Sequence, residues 1–302
     1  MGEFYESIPR ESLIKWIQAQ KVFWVATAPL SGNGHVNVSP KGQVSANHRS
    51  FGVTPDRLPE KDAPNGKQQQ MFWYMEMTGS GIETISHLLE PGNGRITIQF
   101  NEFQKEPRIL RLWGKGRVLE FGTNAFQDMV EQENIEVIPG VRSIIVVDIH
   151  QVGTSCGYSV PLYEFKGFRT TLPDFFRRKE ERYLAGAEKD SMPRYWALKS
   201  AWSMDGLPGM PTGLKAGREL AIEPMRKMVG PLAPKGRESL GARGRGSFQI
   251  EHLAILLLAA LLAISLATHP AFQQHAQMRI RDVMMQVRSV PEALPSSTRL
   301  RD

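Results

Sequence analysis

Residues 78–117 read TGSGIETISHLLEPGNGRITIQFNEFQKEPRILRLWGKGR. A Gly-rich turn opens a short helix, a PGNG turn closes it, and two strands follow, the second carrying several cations. Ser80 stands three residues before Glu83, the spacing of an S-x-x-E capping box. Ile82, Ile85, Leu88 and Leu89 fall on one helical face. With that start, Thr78–Gly81 would turn backbone N–H groups toward whatever lies before the helix, which suits a phosphate or another anion. Glu83 in the first turn weighs against a phosphate at that spot, and a plain capped surface helix is the competing reading. In Ile109–Leu119 alternate side chains face opposite sides. Arg111, Lys115 and Arg117 share one face with Trp113. Leu110, Leu112 and Val118 share the other with Gly114 and Gly116. Glycine inside a strand marks a bulge or a close approach by another group.

Working outward, the N-terminal side supplies more strands. Ser12 caps an expected helix to about Gln20, with Leu13, Trp16 and Ile17 inward. Val22–Thr27 is a β-branched and aromatic strand. The turn at 31–34 makes a hairpin with a second strand beginning at His35–Val38. That strand is expected to end at Ser39-Pro40-Lys41-Gly42, where a hydroxyl and a cation stand together. Residues 55–70 read as a long polar loop, and Phe72–Met77 as a third strand. Beyond the opening stretch, Ala125–Asn134 is helical. Arg142–Ile149 is apolar on both faces apart from Asp148, as in a central buried strand. Thr154–Pro161 leaves the sheet as a loop. Pro173–Ala187 and Pro193–Trp202 are helices with a proline in the first turn.

Length and composition fit an ordinary globular chain of 302 residues, 41% hydrophobic and 23% charged. Residues 1–211 carry 24 basic and 24 acidic side chains; residues 212–302 hold 13 against 7. The basic balance therefore belongs to the tail and gives no support to a nucleic-acid-binding domain. One cysteine, Cys156, excludes an intrachain disulfide and fits a reducing compartment. It reads as a small buried packing residue rather than a reactive thiol. No Cys/His cluster has metal-site spacing. His87 and His150 lack an evident acid partner in sequence. Neither a secretory signal nor a myristoylation motif is expected at the N-terminus.

The expected domains are 1–211, globular; 212–250, a basic flexible linker; 251–269, an apolar helix outside the domain; and 270–302, a disordered tail. Leu253–Ala267 is an uncharged run that would span roughly 22 Å, against about 30 Å of hydrocarbon core. A short tail anchor in a thin intracellular membrane, with the linker cytosolic, is the favoured reading. Docking on the domain or in a partner's groove is the alternative.

The order of an N-terminal helix, a hairpin, SPKG, a strand into TGSGIETISHLLE, then PRILRLWGKGRV and TSCGYSVP, resembles the pyridoxamine 5′-phosphate oxidase-like family, nearest its uncharacterised fungal and bacterial branch. The resemblance covers about 1–210. It implies an α+β, mainly antiparallel split β-barrel with peripheral helices, a homodimer with FMN at the subunit interface, and flavin-dependent redox chemistry on a small substrate. By position, it implies that Ser39 and Lys41 approach the FMN phosphate from the second strand. Thr78 and Ser80 would contact it from the helix turn, and Arg111 would border the isoalloxazine. Departures point away from pyridoxamine 5′-phosphate as the substrate. Gly81 and Ile82 stand where the oxidases carry two basic residues, Ile109 replaces a flavin-contacting Gln, and WALKSAWSMDG does not match the C-terminal substrate motif. Two other readings are a non-catalytic flavin-binding or scaffold barrel tethered to a membrane, and a barrel holding haem or a deazaflavin.

Overall fold

A computed structural model of the chain describes residues 2–55, 70–231, 233 and 281. The chain divides into two compact units, Met1–Pro234 and Lys235–Asp302, and the account below concerns the first. The expected loop at 55–70, all but its ends, and the apolar run Leu253–Ala267 lie outside the described residues. No helix among the described residues is long and apolar enough to cross a membrane.

Eight strands form one antiparallel sheet: β1 (Glu3–Tyr5), β2 (Val22–Thr27), β3 (Asn37–Gly42), β4 (Phe51–Thr54), β5 (Met71–Met77), β6 (Arg95–Asn101), β7 (Ile109–Glu120) and β8 (Val141–Ser155). The order is β3-β2-β6-β7-β8-β5-β4, with β1 added along β8. The sheet curls until its two halves touch. Phe23 of β2 packs on Phe51 of β4 and on Phe72 and Tyr74 of β5, with ring centroids 5.0–5.4 Å apart. β3 and β4 are not hydrogen-bonded to each other, so the half-barrel stays open between them.

The period-2 pattern explains which faces are buried. Phe72, Tyr74, Leu110, Leu112, Ile145, Val147 and Ile149 point into the barrel. Helix α1 (Glu11–Ala19) adds Leu13, Ile14 and Ile17 to the same core. On the other face, Trp73, Met75, Ile144 and Val146 form a second core under Phe126 and Met129 of α3 (Asn124–Glu133). β8 is thus buried on both sides, as its sequence implies.

β3 ends in Ser39-Pro40-Lys41-Gly42, as expected, and Pro40 is tolerated because β3 is an edge strand. Three local expectations change. Helix α2 (Glu83–Leu89) starts with Ile82 as its N-cap and has no side-chain cap bond, so the Ser80 capping box is absent. The Glu83 carboxylate accepts instead from the N–H of its neighbour Ile82, at 2.9 Å. Cys156 is exposed, because β8 ends at Ser155 and the chain leaves the sheet there. The linker does not begin at 212. Helix α6 (Pro211–Glu219) packs against α5 (Met192–Lys199), and Met225 N–H then donates to the Leu198 carbonyl at 2.8 Å. α4 (Thr171–Leu184) and α5 match the two helices expected from their proline starts, with bounds shifted by a few residues.

Gly114 shows why glycine interrupts β7. It sits where the β7–β8 register shifts, and a Cβ there would meet the Asp148 carbonyl oxygen at 2.5 Å. Gly114→Ala is expected to destabilise the chain by about 1–3 kcal/mol through overpacking. That lowers the melting temperature by roughly 2–4 °C per kcal/mol. Gly32→Ala, with nothing within 4 Å, is the control. Equal melting of both variants would contradict the close approach.

Candidate functional site

The opening between β3 and β5 leads into a cavity of about 670 Å³. β3 contributes Asn37, Ser39 and Lys41, and β5 contributes Met75, Glu76 and Met77, with Thr78 following it. Gly79, Gly81, Glu83 and Thr84 also line it. A strap at 161–170 adds Phe165, Phe168 and Arg169.

Its floor is an ion cluster. Glu76 is 1% exposed, and its Oε1 accepts from Lys41 Nζ at 2.8 Å and from Arg142 Nη2 at 2.9 Å. Lys41 sits on the open edge and stays 22% exposed, whereas Arg142 is 4% exposed and also donates to Ser200 Oγ at 3.1 Å. The Lys41–Glu76 pair therefore spans the opening of the half-barrel. Burial, the strongest single influence, pushes the Glu76 carboxyl up. The charges and hydrogen bonds of Lys41 and Arg142 together outweigh it and hold the group below its ordinary range. Glu76 Oε2 and Arg142 Nε are buried without a hydrogen-bond partner. Tyr74 Oη is buried and unpartnered too, and burial followed by the Glu76 charge raises its pKa well above the ordinary value.

Behind Ser39 runs a polar chain. Ser39 Oγ donates to Asn37 Oδ1 at 3.1 Å, and Asn37 Nδ2 donates to Thr84 Oγ1 at 3.0 Å and Thr27 Oγ1 at 3.3 Å. Thr27 Oγ1 lies 2.9 Å from Nδ1 of His87, which is fully buried. Burial pushes the His87 pKa down despite the opposing pull of Asp205, Glu83 and Glu90. A neutral His87 thus anchors the hydroxyls that face the cavity.

Of the five residues singled out in sequence, Ser39, Lys41 and Thr78 line the cavity together. Thr78 is fully buried, and its hydroxyl accepts from Trp196 Nε1 at 3.0 Å, which ties α5 to the cavity wall. Ser80 is exposed and is not in the lining, although Gly79 and Gly81 on either side are. Arg111 is half-buried on β7, pairing across to Gln99 and Gly153 on the face opposite Leu110 and Leu112, and it does not reach this cavity.

Glu76, Arg142 and Arg169 were not singled out in sequence. Glu76 carries a readable signal, since it is the one charge in FWYMEM and shares the inward parity of Phe72 and Tyr74. Arg142 and Arg169 lie 66 and 93 residues further on, and nothing local in sequence brings them to Glu76.

No family model matches the chain. A curated relative, the pyridoxamine 5′-phosphate oxidase family protein ustO of Aspergillus flavus, is 35% identical over 220 residues, covering 71% of this chain and 80% of that one. Among solved structures, HupZ of Group A Streptococcus overlaps 47% of this chain and 90% of its own. Its identity is 17% and its TM-score 0.29. An FAD-binding protein of Mycobacterium smegmatis overlaps 49% of this chain and 95% of its own, at 11% identity and a TM-score of 0.32. Overlaps that loose do not bear on what this chain binds.

Proposed function

The chain belongs to the pyridoxamine 5′-phosphate oxidase family, and from that premise we propose that it binds flavin mononucleotide in the β3–β5 cavity as an oxidoreductase of a small substrate. The observation that carries this is the donor set of the cavity. Lys41, Arg142 with an unsatisfied Nε, and the hydroxyls of Ser39 and Thr78 converge where an anion can be held, in a space of about 670 Å³. An FMN phosphate wants this mixture of cations and hydroxyls, and a pocket of this size suits a ligand as large as a flavin. Bound flavin would supply the electron and hydride transfer. The protein's part is to hold the phosphate with Lys41 and Arg142 and to keep Glu76 ionised between them. The anchored Asn37–Ser39 pair would present a fixed hydroxyl.

Arg111 belongs to the same proposal through a second copy of the chain. It lies on the outer face of β7, so it would border a flavin only across a homodimer contact. Exposed apolar side chains at Val36, Val38, Tyr163 and Phe4, 60–72% exposed, suit such a contact. The proposed location is cytosolic. The tail anchor at Leu253–Ala267 remains part of the proposal, resting on its sequence alone.

The test is the absorption spectrum and FMN titration of the purified full chain, with its mass in solution. Visible-blue flavin bands, or saturable uptake of FMN by a dimer, are the expected result. A Soret band would assign the barrel to haem, and no uptake of any chromophore would leave the scaffold reading.

A further inference from the structure

A second group of cavity-lining residues, outside the ion cluster, has its own chemistry. It comes from the strap at 161–170, which has no regular secondary structure and runs from the end of β8 to α4. Tyr163 fixes the strap, since its N–H donates to the Phe103 carbonyl at 3.0 Å and the two rings lie 5.4 Å apart. The strap then places Phe165, Phe168 and Arg169 on the cavity. The Phe165 and Phe168 rings meet edge to face with centroids 4.9 Å apart, and Phe165 keeps 41% of its surface exposed.

The cations of the lining are unequal. Lys41 and Arg142 are both tied to Glu76. Arg169 is exposed, and among the described residues no ion pair or hydrogen bond engages its guanidinium. The Glu83 carboxylate, the other acid of the lining, is occupied by the Ile82 and Met204 N–H groups. An unpaired planar fork and a pair of aromatic rings on the same cavity lining offer one bidentate ionic contact and one stacking contact.

We propose that Phe165, Phe168 and Arg169 form a substrate subsite for a planar aromatic carboxylic acid. This rests on the flavin reading above, which assigns the Lys41–Arg142 end of the cavity to the cofactor phosphate and leaves the strap for the second ligand. The ring of the acid packs against Phe165 and Phe168, and its carboxylate meets the Arg169 guanidinium. A carboxylate fits the single exposed fork of Arg169.

The experiment is direct binding of three probes to the full chain, with and without FMN. The probes are 2-naphthoate, its neutral analogue 2-naphthylmethanol, and cyclohexanecarboxylate. The expected result is that 2-naphthoate binds more tightly than either analogue. Arg169→Gln should weaken it about tenfold or more, with a smaller loss in Arg169→Lys. Phe165→Leu and Phe168→Leu should weaken 2-naphthoate and leave cyclohexanecarboxylate unchanged. Lys21→Gln, at another exposed cation of the lining, is the control and should change nothing. Melting temperatures of all variants should stay within a degree or two of the parent, because the three strap side chains are exposed or half-buried. Equal naphthoate binding in Arg169→Gln, equal binding of acid and alcohol, or no naphthoate binding overturns the subsite. A loss of FMN affinity in Arg169→Gln would assign the strap to the cofactor and overturn it as well. A chain that takes no FMN yet binds naphthoate through Arg169 overturns the flavin reading alone.

Discussion

Glu76→Gln is expected to lower the stability of the chain by about 3–5 kcal/mol, because it removes one partner from a buried ion cluster. Arg142, 4% exposed, would keep its charge with only neutral groups, the amide in place of the carboxylate and Ser200, left to face it. Lys41 loses its partner too, but at 22% exposed it can turn to water. Denaturant unfolding should show the loss as a lower midpoint with an unchanged slope. The same carboxylate sets an acid limit. Its folded pKa lies below the unfolded value, so its contribution is fully present above the ordinary carboxylate pKa of about 4.5. It is lost as pH falls below that value through the folded pKa. The parent should therefore lose stability below about pH 4.5 more steeply than Glu76→Gln does. Matching midpoints at neutral pH and parallel acid curves would show that Glu76 holds nothing together.

Lys41→Ala should weaken FMN binding by roughly tenfold to a hundredfold, the worth of a charge-assisted hydrogen bond to phosphate, about 1.5–3 kcal/mol. Its effect on folding should be far smaller than that of Glu76→Gln, since Arg142 still neutralises Glu76. The two variants thus separate the two roles of one cluster, holding the half-barrel together and receiving an anion. Ser80→Ala is the internal control, because Ser80 is exposed and outside the lining. FMN titration of the three proteins, alongside their melting temperatures, decides. Unchanged affinity in Lys41→Ala would remove the cofactor phosphate from this end of the cavity.

Much of the sheet was legible locally. β7 follows from a run with a period of two, β2 from its β-branched and aromatic residues, and the doubly apolar run at 142–149 marks the strand buried on both sides. These signals are local, because a strand's faces are set by its own alternation. Residues 102–108 join β6 directly to β7, which leaves little freedom in that antiparallel pairing. Lys41, Ser39 and Thr78 could be singled out for a similar reason, since each sits in a short motif of polar groups at a strand end or turn.

The start of α2 was misplaced because a capping box is a spacing, and the carboxylate of Glu83 could serve either of two nearby N–H groups. The fate of 211–231 was hidden because its Gly, Pro and basic residues suit a linker equally well. Only the α5 surface, with Trp196 and Leu198, turns it into a packed element. What the sequence by itself determined is a mainly antiparallel barrel with a polar motif at β3 and another after β5. What only the tertiary structure decided is the partnership of Lys41, Glu76 and Arg142, the exclusion of Ser80 and Arg111 from their cavity, and the strap that walls it. The reason is physical. The bonds of the ion cluster join residues 35 and 66 positions apart through the curl of the sheet. No local pattern encodes which charges a curled sheet will bring face to face.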